Sequence, residues 1–119
     1  MDEVIFYEKP TCSTCRAGVV ILKENGIPYR SIRYYDQPLT EEKLTELIRK
    51  MGITARELLR TREPLYKELG LVDTKLSDDA LIALMVKHPD LMQRPIVECG
   101  DRAILGRPIE KIRAWLSSL

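Results

Sequence analysis

No uninterrupted apolar run in this chain approaches the roughly 20 residues that a helix needs to cross a bilayer. The longest, ALIALMV at 80–86, is too short, and the acidic opening MDEV lacks the basic end of a signal peptide. A cytoplasmic protein without a membrane partner is expected. Neither charge is in surplus: 19 Lys and Arg against 18 Asp and Glu leave a formal net charge of +1. That balance gives no electrostatic footprint for direct nucleic-acid binding. Cysteine and histidine are scarce. Three Cys do not make the disulfide framework of a small secreted protein. Cys12, Cys15, His88 and Cys99 also lack the paired spacing of a structural zinc finger or ribbon. No bound metal or cofactor is expected. With 119 residues, 45% hydrophobic and 31% charged, the composition is that of an ordinary globular domain, too short to divide comfortably into two.

What is present is a regular succession of elements. VIFY at 4–7 is a β-prone run stopped by Pro10, and Ala17, Val20 and Ile21 follow with helical spacing up to Asn25-Gly26. A second β-prone run, PYRSIRYY at 28–35, ends before Gln37-Pro38. Thr40 then caps a predicted helix with Leu44, Leu47, Ile48 and Met51 on one side and Gly52 as its stop. Thr54 and Glu57 have capping-box spacing. Pro64 interrupts, and a short helical piece through Leu65 and Leu69 ends at Gly70. Ser77 caps DDALIALMVKH, whose apolar side includes Leu81, Leu84 and Met85. After Pro89, PIVEC and RAIL flank Gly100-Asp101 as a predicted hairpin, and Pro108 starts a final helix with Ile109, Ile112 and Trp115. The order β-α-β, helices, β-β-α predicts an α/β fold on a small mixed sheet. It forms a single domain over 1–119 in which 39–88 is a largely helical insertion.

The chemistry concentrates in KPTCSTCR at 9–16. A cysteine in the loop that opens a helix faces unpaired backbone N–H groups and the positive end of the helix dipole, and both favour a thiolate. Cys12 is therefore the candidate nucleophile, against the alternative of a small buried hydrophobe. Cys15, about one turn further, either resolves an oxidised Cys12 by forming a disulfide or is an inert helix-interior thiol. Arg16 adds positive charge nearby. Cys99, in a predicted strand, reads as packing, and His88 as a helix-end residue. Arg60 and Arg62 in LLRTREP, Arg94 in QRPIV and Arg107 in GRP each sit beside a loop or element boundary. Arginine grips oxyanions through fixed planar donors, so a convergent anion pocket is one reading and a solvated surface the other.

Read together, four segments resemble the glutaredoxin-dependent arsenate reductase and Spx superfamily: YEKPTCSTCR at 7–16, LLRTREPLYKELGL at 58–71, MVKHPDLMQRPIV at 85–97 and RAILGRPIEKI at 102–112. The CxxC alone is a weak signature; the other three in this order are far more specific, and together they span nearly the full chain. The resemblance implies a thioredoxin-like core with a cis Pro95 beside the reactive cysteine. It implies that Cys12 attacks arsenate while Arg60, Arg94 and Arg107 hold the oxyanion and stabilise the arsenylated cysteine. A thiol then releases arsenite, and an external reductant, either glutathione with glutaredoxin or thioredoxin, restores the enzyme. Two positions depart from the reductase pattern. Those enzymes commonly lack the second cysteine and often carry a histidine where this chain has Glu8. The CxxC is the pattern of Spx-type redox regulators, which bind the RNA polymerase α subunit. The expectation is thus a thiol-dependent oxidoreductase that reduces arsenate; the alternative is a redox-sensing transcription regulator whose signal is a Cys12–Cys15 disulfide.

Overall fold

The computed structural model describes residues 3–9, 11–72 and 75–118, so Pro10, expected to stop the first strand, lies outside the described residues. The elements follow in the order β1 (Val4–Glu8), α1 (Ser13–Glu24), β2 (Tyr29–Arg33), α2 (Glu41–Met51), α3 (Ala55–Leu58), α4 (Pro64–Glu68) and α5 (Asp78–Lys87). A 3₁₀ turn at Pro89–Leu91, then β3 (Ile96–Cys99), β4 (Arg102–Leu105) and α6 (Glu110–Leu116) complete the chain. They separate into two compact units: the described residues up to Gln37 together with Arg94 onward, and Pro38–Gln93.

The first unit is a mixed four-stranded sheet in the order β2-β1-β3-β4. β1 runs parallel to β2, with Glu8 opposite Arg33, and antiparallel to β3, with Tyr7 opposite Ile96. Glycine at 100, with φ of 59°, supplies the left-handed turn that joins β3 to β4. This register brings the C-terminal ends of β1 and β2 and the beginning of β3 to one end of the sheet. Val4, Phe6 and Val97 pack with Cys15, Ile21, Leu22, Ile112 and Trp115 into one buried cluster. Two carboxylates are buried in the sheet as hydrogen-bond acceptors: Glu98 accepts from the Tyr7 hydroxyl at 2.7 Å, and Glu8 from Ser31 Oγ at 2.9 Å.

Helix α1 buries a different face from the one its apolar spacing suggests. Cys15, Gly18, Ile21 and Leu22 are buried, whereas Ala17 is exposed and Val20 is 51% exposed. The run AGVVIL offers two apolar stripes, and the glycine selects between them by allowing close approach. A Cβ at Gly18 would lie 2.7 Å from Phe6 Cζ and 3.3 Å from Ile112 Cδ1. Gly18→Ala therefore destabilises the fold by about 1–3 kcal/mol through overpacking, although alanine is the better helix former by about 1 kcal/mol. Chemical denaturation of the variant would show a lowered midpoint; an unchanged or raised one would contradict this packing. β2 is also shorter than PYRSIRYY suggests, because the amides of Asp36 and Gln37 both turn back to the Arg33 carbonyl at 2.9 and 2.8 Å. Tyr34 and Tyr35 are thus turn residues rather than strand residues.

In the second unit, Thr40 and Ser77 cap α2 and α5 by accepting from the amides of Lys43 and Ala80, and Thr54 and Glu57 complete a reciprocal capping box on α3. Gly52 ends α2 at a φ of 68°. α2 and α3 both pack on α5, whose buried residues are Leu81, Ile82 and Met85, with Leu84 only partly buried. Leu59 bridges to Met92, and the Gln93 amide donates to the Leu58 carbonyl at 2.9 Å, tying the end of α3 to the segment after the 3₁₀ turn. Among the described residues, no helix is long and apolar enough to cross a membrane.

Candidate active site

The Cys12 amide donates to the Lys9 carbonyl at 2.9 Å just after β1, and this turn delivers Cys12 to the N-cap of α1. Its φ of −82° and ψ of 123° are extended, while its carbonyl already accepts from the Arg16 amide at 3.0 Å. No acidic side chain occupies the first turn of α1, so the positive helix end is not neutralised there. Cys12 makes no full side-chain cap hydrogen bond. Burial, the largest influence, opposes its ionisation. The amide and thiol of Cys15 and the guanidinium of Arg94 together outweigh it, lowering the thiol from its ordinary 9.0 to about 7. Cys12 is thus far more readily ionised near neutral pH than an ordinary thiol. Its alkylation rate is expected to rise with pH through a midpoint near 7, and Arg94→Ala to move that midpoint upward, because burial persists while a stabilising cation is lost. A pH-dependent iodoacetamide titration checks both; an unmoved midpoint in the variant would remove Arg94 from this role.

Arg94 is 6% exposed, yet its Nε and Nη1, like the hydroxyl of Tyr34, are buried without a hydrogen-bond partner among the described residues. Leaving such a group unsatisfied costs about 1–3 kcal/mol, and native proteins do so rarely. Arg107 is held differently. Its Nε donates to the Arg94 carbonyl at 2.8 Å and its Nη2 to Thr14 Oγ1 at 3.1 Å, clamping the segment before β3 to the first turn of α1. Gly106 makes this approach possible, because a Cβ there would lie 2.7 Å from Ile112 Cδ1 and 3.1 Å from Pro95 Cγ. The peptides Arg94-Pro95 and Arg107-Pro108 are both cis. An open cleft of about 430 Å³ lies alongside, lined by Ser13, Thr14, Ala17, Arg107 and Pro108 among others.

Cys15 is fully buried, and its thiol is pushed up to about 12, chiefly by burial and further by the Cys12 sulfur, with a Lys9 backbone contact offsetting part of this. The proton therefore stays on Cys15 while Cys12 is charged. The structure thus gathers Cys12, Cys15, Arg94 and Arg107 around the start of α1. Arg60 lies in the other unit, where its amide donates to the Leu91 carbonyl at 2.6 Å and its Nη1 pairs with Glu63 at 3.2 Å. Arg16 and Arg62 are exposed. Cys99 is buried in the sheet opposite Val4, and His88 closes α5 with its amide on the Leu84 carbonyl at 2.8 Å. Among the described residues, no group of three or more His, Cys, Asp or Glu is arranged to hold a metal ion. Thr14 and Tyr34 escaped the sequence reading. Nothing in STCR marks Thr14 as a partner for Arg107, and Tyr34 passes for one more aromatic residue of a strand.

Comparison with known proteins extends these observations. Residues 7–115 match the model of the ArsC family. The arsenate reductase of Neisseria meningitidis serogroup A is 39% identical over 117 residues, covering 98% of this chain and 100% of that one. The arsenate reductase of Escherichia coli K12 is 38% identical over 112 residues, 94% of this chain and 79% of its own length. The solved structure of the arsenate reductase from Vibrio cholerae superposes with a TM-score of 0.89 at 40% identity, over 95% of this chain and 97% of that one. Because the family model spans residues 7–115 and these relatives, at 38–40% identity, cover nearly the whole chain, the chain belongs to the ArsC family and has its thioredoxin-like fold.

Proposed function

We propose that this chain is a thiol-dependent arsenate reductase with Cys12 as its nucleophile. The observation that carries the reading is a thiol lowered to about 7 beside a buried guanidinium with two unpartnered nitrogens, a pairing of nucleophile and anion ligand. The Cys12 thiolate attacks the arsenic of hydrogen arsenate, forming an S–As bond as one As–OH bond breaks; that hydroxyl takes a proton from solvent and leaves as water. Arg94 and Arg107 hold the remaining oxygens, and Arg60 is assigned as a third ligand from the family pattern alone. Cys15 then attacks the Cys12 sulfur, its proton passing to an oxygen of the departing arsenic. An S–S bond forms, the S–As bond breaks, and its electron pair stays on arsenic, which departs as arsenite. Forming the S–As bond removes the Cys12 charge, one of the influences that hold the proton on Cys15. A thiol donor, either thioredoxin or glutathione with glutaredoxin, returns two electrons to the disulfide. In this reading 1–119 is one domain, with the helical segment as an insertion, and it works in the cytoplasm.

Single turnover tests the internal step. Fully reduced protein given arsenate without external thiol should release one arsenite per chain and show a Cys12–Cys15 linkage on peptide mapping. Cys15→Ser should release none until glutathione and glutaredoxin are added. Linkage of Cys12 to Cys99 instead, or no linkage at all, would reject Cys15 as the resolving thiol. The same CxxC suits a redox regulator, and binding of the RNA polymerase α C-terminal domain by oxidised but not reduced protein, without arsenite formation, would select that second reading.

A further inference from the structure

The Tyr34 hydroxyl has no role in the chemistry above, and its position in the fold is specific. β2 runs parallel to β1 with Arg33 opposite Glu8, so Tyr34 leaves the sheet beside Lys9, whose carbonyl holds the Cys12 amide. Lys9 Nζ sits 4.8 Å above the Tyr35 ring, which joins the two strand ends again. Arg94 reaches the same end of the sheet from the start of β3, where Ile96 lies opposite Tyr7. Tyr34 is 2% exposed, and its ring lies 5.0 Å from that of Tyr35. Burial, with the neighbouring Tyr35, holds its hydroxyl protonated far above neutral pH, while the Arg94 guanidinium, through its charge and its approach to the hydroxyl oxygen, acts in the opposite direction; that approach uses the oxygen as an acceptor and leaves the O–H free to donate. Tyr34 is therefore a neutral O–H donor throughout the range in which Cys12 ionises.

An aromatic core position without a partner for a hydroxyl is better filled by phenylalanine, which carries no desolvation cost. Here the unpartnered hydroxyl accompanies two unpartnered nitrogens of Arg94, at the strand ends where α/β sheets bind ligands. We propose that the Tyr34 hydroxyl donates a hydrogen bond to an oxygen of the oxyanion bound between Arg94 and Cys12. It adds direction without charge: the arginine neutralises the anion, and the tyrosine selects an oxygen placed for attack by the sulfur. This inference rests on the reading of the site as one for arsenate.

Tyr34→Phe in the full chain tests it, with arsenate as the probe. Loss of one oxyanion donor should lower kcat/KM for arsenate by about 10- to 100-fold. The variant should also weaken arsenate's protection of Cys12 against alkylation by a comparable factor. Its Tm should change little, because the hydroxyl removed makes no well-formed hydrogen bond and meets only the Arg94 guanidinium. A merely structural hydroxyl would give the opposite pattern, a lower Tm with kcat/KM within about twofold of wild type, and would overturn the proposal. Wild type that reduces arsenate alongside an equally active Tyr34→Phe defeats the tyrosine role alone. Wild type that neither reduces arsenate nor is protected by it defeats the arsenate reading and this inference together.

Discussion

Cys12→Ser is expected to abolish arsenite formation, a loss of about 10⁴-fold or more, while leaving the protein at least as stable as wild type. The two effects have separate causes. The serine hydroxyl ionises far above the thiol range, so neither Arg94 nor the start of α1 can generate an alkoxide near neutral pH. Yet serine is a favoured N-cap, and Cys12 occupies the N-cap of α1, so the serine oxygen takes over the Cys15 amide as a better acceptor than sulfur. Activity assays with a thermal melt on the same preparation separate the outcomes. Residual turnover above a tenth of wild type would move the nucleophile elsewhere, and a large fall in Tm would make lost activity a folding effect.

Arg94→Ala has the second-largest expected effect, a fall of about 10²- to 10³-fold in kcat/KM, from loss of both an oxyanion donor and a neighbour that favours the Cys12 thiolate. Arg94→Lys should recover part of this, since it restores charge but not the planar fork. Raising the pH should rescue the alanine variant only partly, because deprotonating Cys12 supplies the thiolate but not the anion ligand. Complete rescue at high pH would show that Arg94 acts on the thiol alone. Arg107→Ala should cost less. One edge of that guanidinium already serves the Arg94 carbonyl and Thr14, which makes it partly a clamp on the site.

The sequence disclosed most where local chemistry decides the structure. Thr40, Ser77 and the Thr54/Glu57 box mark helix starts by side-chain-to-amide bonds that need no tertiary context, and Gly100-Asp101 marks the hairpin by the φ its turn demands. It disclosed least where two local readings are equally good and packing chooses. The buried face of α1 follows from Gly18 meeting Phe6 and Ile112, partners distant in sequence. The early end of β2 follows from two amides converging on one carbonyl. At the site, Cys12 was legible because it opens α1, where the Cys15 amide and thiol favour its ionised form. Arg94 and Arg107 were legible as residue types at element boundaries, but their unequal circumstances, one with unpartnered nitrogens and the other tied to Thr14, depend on how β3, β4 and α1 meet. Tyr34 carried no signal, because an orphaned hydroxyl is a property of its surroundings.

The most direct test is steady-state arsenite formation by the purified wild-type chain, supplied in separate reactions with thioredoxin and its reductase or with glutathione and glutaredoxin. Arsenite should accumulate over many turnovers with at least one reductant, with a rate that rises with pH through about 7 as Cys12 ionises. Absence of arsenite with both reductants, from protein whose Cys12 still alkylates with that midpoint, would contradict the account: the reactive thiol would be real and its arsenate chemistry would not.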